Sequence, residues 1–293
     1  MSTRAIVPVK LSLTEGDFYT LWAPKWRQNG SEWQAFLGDD EAVLAFNSPA
    51  ELLCFVESGT KHDLLDHPHW DQFAGRDADR VTPAERDEYD LIGMPEALAG
   101  RPSHQNVSTV ARNLEMASAL ADVAGAEHTT IFFASHSILR NVSRGADHYS
   151  GEQGMSEWSG VGHVIAGNWK KVIEDLDEHV RVVSSDDFDA AKVSDAKERI
   201  SSAAAASAAA AKEAEEKRKA AAEAADPYDN SPWAAAGIDP IKITAQSKSV
   251  YTLRTYLDGK PIFLGKWGEI FTFDSPKTLV RWIMAVSYTH LRA

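Results

Sequence analysis

Residues 61–70, KHDLLDHPHW, hold the side chains of this sequence whose types and spacing are best suited to chemistry. Five of them are metal-ligand types at close spacing: His62, Asp63, Asp66, His67 and His69. Pro68 interrupts helical register after His67, and no second cluster in the sequence supplies the missing ligands. An aspartate that caps a helix, beside solvated histidines, explains the same residues. We therefore predict no metal site here and keep a metal-dependent hydrolase as the weakest functional hypothesis.

Two other patterns suggest catalysis without supporting it. Ser135 and His136 are adjacent, but adjacency in sequence does not make a catalytic dyad, and no G-x-S-x-G motif accompanies them. The glycines between 145 and 167 lack the G-x-x-x-x-G-K-[ST] pattern of a phosphate-binding loop. We expect no catalytic residues, no cofactor and no enzymatic activity.

Aromatic residues are the remaining functional candidates. Trp22, Trp26 and Trp33 lie in or near an insertion of the first of two sequence repeats. In the second repeat, the predicted site for unfolded client segments consists of Tyr251, Tyr256, Phe263, Trp267 and Phe271. The alternative is that parts of the domain outside this sequence bury these rings.

Composition limits the classes of partner. The 293 residues carry 30 Lys and Arg against 43 Asp and Glu, a formal net charge of −13. Such a charge repels phosphate backbones and anionic lipid, so we expect neither nucleic acid binding nor membrane insertion. The one cysteine, Cys54, lies in the apolar run ELLCFV and is predicted to be a buried thiol. With no signal-peptide pattern and no long apolar run, the sequence predicts a cytoplasmic protein.

The elements that would position these residues form an internal repeat. Residues 8–13, PVKLSL, match residues 240–245, PIKITA, and residues 47–55, NSPAELLCF, match residues 274–282, DSPKTLVRW. Each copy begins with alternating apolar residues, as in Val7, Val9, Leu11 and Leu13 of the first, which is typical of strands. Each copy is therefore predicted to be a small antiparallel sheet with a helix across one face.

Turn and cap signals place the ends of these elements. Asp258-Gly259 predicts a two-residue hairpin in the second copy. Ser48 is the predicted helix N-cap of the first copy, with Pro49 in the first turn and Glu51 closing a capping box. The second copy has Thr278 where the glutamate would be, which predicts a weaker cap.

Helical patterns fill the region between the copies. Residues 104–124 carry an apolar stripe, and residues 169–180, WKKVIEDLDEHV, carry another. The Gly- and Ser-rich stretch between them predicts loops around short helices. Residues 184–236 are rich in Ala, Glu and Lys, with few large apolar side chains, and predict a solvated helical or disordered linker.

The fold class predicted is α+β, with two related sheet-plus-helix modules joined by the long linker. The predicted domains are 1–183, the linker at 184–236 and a truncated C-terminal α+β domain at 237–284. Residues 285–293, ending in VSYTHLRA, are predicted to be a non-native tail.

The chain resembles the SatS family of actinobacterial protein-export chaperones. The resemblance rests on YTLWAPKWR and DLLDHP near the start, on ILRNVSRGADHYSGEQGMSEWSGVGHVI, and on GIDPIKI, YTLRTYLDGKPIFLG in the second copy. It likens the first segment to the N-terminal part of these proteins and the second to the start of their C-terminal domain. It implies a cytosolic chaperone without catalytic residues or cofactors, which keeps clients export-competent for the accessory SecA route and has apolar grooves in its C-terminal domain.

Three functional hypotheses follow. The first is a nucleotide-independent chaperone that binds unfolded or export-destined clients through apolar surface. The second is an adaptor or scaffold in which two related modules bind folded partners. The third is the hydrolase based on residues 61–70.

Overall fold

A computed structural model describes residues 5–28, 30–39, 41–224, 236–245, 248–257, 259–266 and 268–290. It divides into two compact units, Met1–Ala209 and Ala210–Ala293, which are described separately below. Helices and mainly antiparallel sheets occur in the chain, so the predicted α+β class is confirmed. No helix among the described residues is both long enough and apolar enough to cross a bilayer.

The strands of the first unit are β1 (Val7–Leu13), β2 (Gly16–Gln28), β3 (Ser31–Phe36), β4 (Val43–Ala45), β5 (Glu88–Asp90) and β6 (Val180–Val182). Its helices are α1 (Pro49–Glu57), α2 (Trp70–Ala74), α3 (Met94–Ala99), α4 (His104–Ala124), α5 (Glu127–Ser135), α6 (Gly151–His179) and the first part of α7 (Ala190–Ala224). Short 3-10 helices include Asp63–Asp66, Ala78–Val81 and Ser137–Arg144.

The main sheet of the first unit has the order β3-β2-β1-β5 and is buried on both faces. The alternating residues Val7, Val9, Leu11 and Leu13 face a core that α3 to α6 complete, as the strand pattern predicts. The opposite face contributes Leu21 to a second core, which contains residues of α1 and α2. Helix α1 therefore covers one face of the main sheet, as predicted, while the layer of α3 to α6 covers the other face.

The helical layer confirms both predicted stripes. Val107, Val110 and Leu114 of α4 are buried, and so are Trp169 and the other apolar positions of residues 169–180. The prediction of loops around short helices agrees with the short 3-10 helices up to Tyr149, but it is wrong from Gly151 onward, because α6 runs unbroken from Gly151 to His179.

An apolar stripe explains why this glycine-rich stretch is helical. Trp158, Val161 and Ile165 lead into Trp169 at helical spacing, and all four are buried. Their burial outweighs the cost of about 1 kcal/mol that each interior glycine adds. Gly154 is required by packing, since a Cβ there would lie 2.4 Å from the backbone carbonyl carbon of Tyr149.

The cap of α1 follows the prediction with one shift. The Ser48 hydroxyl accepts a hydrogen bond from the Glu51 amide (3.2 Å), which confirms the N-cap. The Glu51 carboxylate accepts from the amide of Asn47 (3.0 Å), the residue before the cap. It also accepts from the Ser185 hydroxyl (2.9 Å), which ties α1 to the segment that precedes α7.

The solvated part of the predicted linker, residues 184–236, is shorter than the sequence predicts. Residues 190–209 of α7 belong to the first unit, and Ala196 is fully buried in its second core. The prediction that this segment packs against nothing is therefore wrong for its first turns, because small alanine side chains allow a close helix approach. Residues 225–235 of the predicted linker lie outside the described residues.

The second unit contains β7 (Asp239–Ala245), β8 (Lys248–Leu257), β9 (Lys260–Phe263), β10 (Gly265–Lys266), β11 (Glu269–Ile270) and α8 (Pro276–His290). Strands β7, β8 and β9 form an antiparallel sheet in that order, and β10 pairs with β11. Of the predicted hairpin turn, Asp258 lies outside the described residues. The truncation after Met284 and the non-native tail stay predictions, and residues 291–293 lie outside the described residues.

Thr278 takes the place of the missing glutamate in the second cap. The Ser275 hydroxyl accepts from the Thr278 amide (3.3 Å), and the Thr278 hydroxyl accepts from the Ser275 amide (3.1 Å). Both donors are satisfied reciprocally, which is the arrangement of a capping box.

Candidate apolar binding surface

One face of the β7-β8-β9 sheet in the second unit carries an apolar surface, here called the open face. Strand register places its residues on the same side of the sheet, since side chains alternate along each strand. The apolar residues of the open face are Ile241, Ile243, Val250, Tyr256, Phe263 and Ile270. The same register places three polar residues on this side: Asp239, Thr252 and Arg254.

Helix α8 covers part of the opposite face of this sheet, where Leu257 and Ile262 stay 62% and 44% exposed. The indole of Trp282 contacts the rings of Phe271 and Phe273, with centroids 5.8 and 5.7 Å away. Leu279 of the same helix is buried. Among the described residues of the second unit, the helical cover therefore lies on the side away from the open face.

The first unit shows what this face becomes when it is covered. The repeat aligns Ile243 with Leu11 and Ile270 with Val43. Leu11 and Val43 are 0% and 3% exposed beneath the helical layer, whereas Ile243 and Ile270 are 39% and 48% exposed. The same module surface is thus a core in one unit and accessible in the other.

An ion pair lies on the open face itself, because Arg254 of the central strand β8 is opposite Asp239 on one side and Phe263 on the other. The Arg254 guanidinium lies 2.8 Å from the Asp239 carboxylate and stacks over the Tyr256 ring at 4.9 Å from its centroid. The hydrogen bond with Asp239 raises the pKa of Arg254. The two side chains together carry no net charge, and the contact with the guanidinium holds the Tyr256 ring against the sheet.

The five residues predicted to bind clients are divided between the two faces. Tyr256, 52% exposed, and Phe263 lie on the open face. Tyr251 and Phe271 lie on the side of α8, where Tyr251 is backbone-paired with Phe273. Trp267 lies outside the described residues.

Sequence reasoning missed the aliphatic part of the open face. Ile241, Ile243, Val250 and Ile270 were not among the predicted site residues, which were all aromatic. The repeat itself carries the signal for them, because it aligns three of these residues with the buried Val9, Leu11 and Val43 of the first copy.

A groove of about 660 Å³ runs along α4 in the first unit. Its apolar lining is Ala111, Leu114, Phe133, Leu139 and Val142, and its charged lining is Arg112, Glu115 and Arg140. The adjacent Phe132 and Phe133 are the sequence signal for it, since two consecutive residues of a helix point in different directions. Phe132 fills the core and Phe133 is left to line the groove.

The histidines of residues 61–70 are packed and not assembled into a metal site. His62 and His67 are buried against Trp70 and Trp26, with ring centroids 4.4 and 4.5 Å apart. The expectation of solvated histidines is wrong for these two, because the indole rings exclude water from them. No group of three metal-ligand side chains occurs within the part of the chain that the structure describes.

Burial of the two imidazoles predicts acid sensitivity. Desolvation lowers the pKa of His62 and of His67 from 6.5, so the unfolded chain takes up protons before the folded chain does. The free energy of unfolding should therefore fall as the pH is lowered through about 6.5. Urea titrations between pH 7.5 and 5 measure this slope, which His62→Phe and His67→Phe should flatten. The exposed-site control His163→Phe should retain it, and an equal slope in all variants would contradict the assignment.

Ser135 and His136 do not form a dyad. The His136 Nδ1 lies 2.8 Å from the Phe132 carbonyl oxygen, one helical turn back. The imidazole therefore satisfies the C-terminal end of α5 and is not directed at the neighbouring serine.

Comparisons with known proteins bear on both units. A family model described as the SatS C-terminal domain matches residues 6–177 and 238–292, which is more than half of the chain. A crystal structure of the SatS C-terminal domain in complex with bromine is 16% identical, with a TM-score of 0.42, and the match covers 61% of this chain and 94% of that one. No curated protein matches the chain.

The matched ranges correct one expectation from the sequence. The resemblance likens the first segment to the N-terminal part of the family's proteins, but residues 6–177 match the C-terminal domain instead. Both ranges match the same domain description, and the internal repeat stays a prediction.

Proposed function

Since this chain belongs to the SatS family, we propose that it is a protein-export chaperone that holds unfolded or export-destined clients without nucleotide. The observation that carries the proposal is the open face, where apolar side chains that the first unit buries are accessible. Exposed apolar surface of this kind favours binding of other chains.

The chemistry of the open face suits unfolded segments in general and does not select one specific sequence. Aliphatic side chains make non-directional contacts, so affinity depends on the apolar area removed from water. The paired Arg254 adds no free charge that would select an acidic client. The net charge of −13 favours solubility of the chaperone with its client and an attraction to basic segments.

The family resemblance supplies the proposed setting. Clients are exported proteins, the accessory SecA machinery is a proposed partner, and the proposed location is the cytoplasm. The protein acts by binding and performs no reaction of its own.

Light scattering tests the proposal. A chemically denatured exported protein is diluted into buffer with or without an equimolar amount of the chaperone, in the absence of ATP. We expect scattering to fall severalfold, because apolar segments of the client are held before they meet one another. Failure to slow the aggregation of any exported client would overturn the proposal. Recovery of folded partners at fixed stoichiometry, without such protection, would favour the scaffold hypothesis instead.

A further inference from the structure

The first turns of α7 lie in a groove of the first unit that α1 and its neighbours form. Val193, Ala196, Ile200 and Ala203 recur at helical spacing and pack against the second core. Of these four, Ala196 is buried at 1% exposure, and the other three are partly exposed. The helix is thus held by a narrow apolar seam.

An ion pair adds orientation to this seam. Both terminal nitrogens of Arg199 lie 2.8 Å from the Glu57 carboxylate, which also accepts from Arg80 at 3.0 Å. The hydrogen bond from Arg199 is the main cause that lowers the pKa of Glu57. A bidentate pair fixes the rotation of the helix as well as its position.

The helix does not fill the groove it lies in. Open space of about 600 Å³ is bordered by Ala204 and Ser207 of the helix, and space of about 610 Å³ by Ser202 and Ala206. Both spaces are lined by charged side chains, among them Arg76, Asp77 and Arg80, so longer polar or charged side chains than alanine can be accommodated beside this seam.

The groove is a feature of the repeated module, whereas the helix is not. The family match covers residues 6–177 and 238–292 and leaves out residues 190–209. In the second unit the repeat aligns Val280 of α8 with Leu53 of α1. Val280 is 45% exposed and Leu53 is 0% exposed, so one chain shows this surface both accessible and covered.

We propose that residues 190–203 are an exchangeable internal ligand of this groove, and that the vacated groove binds an amphipathic client helix. The pattern that the groove recognises is the one it already holds: small or branched apolar residues at successive helical turns, with an arginine placed to pair with Glu57. This inference rests on the proposed chaperone function and names a second class of client segment, an amphipathic helix, besides the unfolded segments proposed for the open face.

Cys54 is the reporter for this exchange. It is the chain's one cysteine, lies partly buried on α1, and has Arg199, Lys192 and Asp195 of α7 within electrostatic range. Burial raises the pKa of its thiol. Release of α7 should therefore expose the thiol and speed its reaction with a chromogenic disulfide.

Variants of α7 test the seam in the full chain. Arg199→Ala should raise the labelling rate of Cys54 about fivefold, the order expected for loss of one ion pair that opposes local opening. Ile200→Asp should raise it more than about tenfold, because a carboxylate is forced into the apolar seam. The control Lys197→Ala, on the exposed side of the helix, should leave the rate unchanged.

If Arg199 acted on Cys54 through its charge alone, Arg199→Ala would slow the labelling of Cys54. Arg199 lowers the pKa of Cys54, so its removal raises that pKa and slows thiolate chemistry. A faster rate in Arg199→Ala thus reports opening of the helix. Equal rates in the wild type, Arg199→Ala and Ile200→Asp would overturn the proposal.

A peptide tests exchange directly. A synthetic peptide of residues 188–209, added to the Ile200→Asp protein, should restore protection of Cys54, and the same peptide with Ala196→Asp should not. Circular dichroism checks that each variant keeps its helix content. Failure of the unmodified peptide to protect Cys54 would overturn the exchange.

Client holding separates this inference from the proposed function. The Ile200→Asp protein should slow client aggregation better than the wild type. If the wild type holds clients and Ile200→Asp holds them no better, the client role of the groove is wrong while the chaperone function stands. If neither holds clients, the chaperone function fails, whatever the labelling of Cys54 shows.

Discussion

Ile243→Asp should weaken client holding at least about tenfold, because it places a carboxylate where apolar client surface would have to desolvate it. Ile243 lies on the edge strand β7 of the open face, opposite Val250, and is 39% exposed. Because the side chain is partly exposed and not in a core, the free energy of unfolding should fall by about 1–2 kcal/mol, which leaves the unit folded. The measurement is the chaperone concentration that halves the aggregation rate of a denatured client.

Thr244→Asp is the matched control for this experiment. Thr244 is the next residue of β7, is exposed, and points to the other side of the sheet, where its hydroxyl lies 2.9 Å from that of Ser249. It receives the same charge change in the same strand, so client holding should stay near that of the wild type. If both variants lose holding equally, net charge and not the open face is responsible. If neither loses it, the binding surface lies elsewhere, and the groove along α4 becomes the candidate.

Trp169→Ala should lower the free energy of unfolding of the first unit by about 3–5 kcal/mol, as large-to-small changes of buried aromatic residues do. The Trp169 side chain is buried in the core between the sheet and the helical layer. Its indole nitrogen donates to the Leu91 carbonyl oxygen at 2.7 Å, so the change also removes a buried hydrogen bond. Urea denaturation followed by far-ultraviolet circular dichroism measures the loss.

Lys170→Ala is the neighbouring control. Its side chain is 89% exposed and pairs with Glu174 at 3.6 Å, one helical turn away. Exposed pairs of this kind contribute about 0.3–0.5 kcal/mol, so the control should unfold close to the wild type. A Trp169→Ala protein as stable as Lys170→Ala would show that the helical layer does not stabilise the sheet.

Local patterns predicted the elements of this fold well. The alternation from Val7 to Leu13 and the stripe beginning at Val107 each depend on burial of one face, which leaves a period in the sequence. The cap at Ser48 needs a hydroxyl within three residues of its donor, so it is equally local. The first half of α6, residues 151–168, escaped prediction because spaced apolar residues outweighed glycines that, taken singly, favour loops.

The binding surface could not be located from local patterns. All five predicted residues are aromatic, but a ring on a strand faces either side of the sheet depending on register, and register separates Tyr256 from Tyr251. Which of those sides a helix covers depends on contacts between residues far apart in sequence. Residue type alone therefore identified apolar side chains that could contact a client, but not which of them are exposed.

The sequence by itself determined the first strands, the helix caps and the apolar stripes of the helical layer, because periodicity and caps depend on residues near one another. It also predicted that the two units are copies of one sheet-plus-helix module. Tertiary structure decided which copy of the module face is buried: Leu11 lies beneath helices from residues 94–179, while Ile243 stays partly exposed. It also placed the alanine-rich helix against α1 through Ala196 and Arg199. The physical reason is that burial is a property of what packs against a side chain, and identical apolar patterns form either a core or an accessible surface.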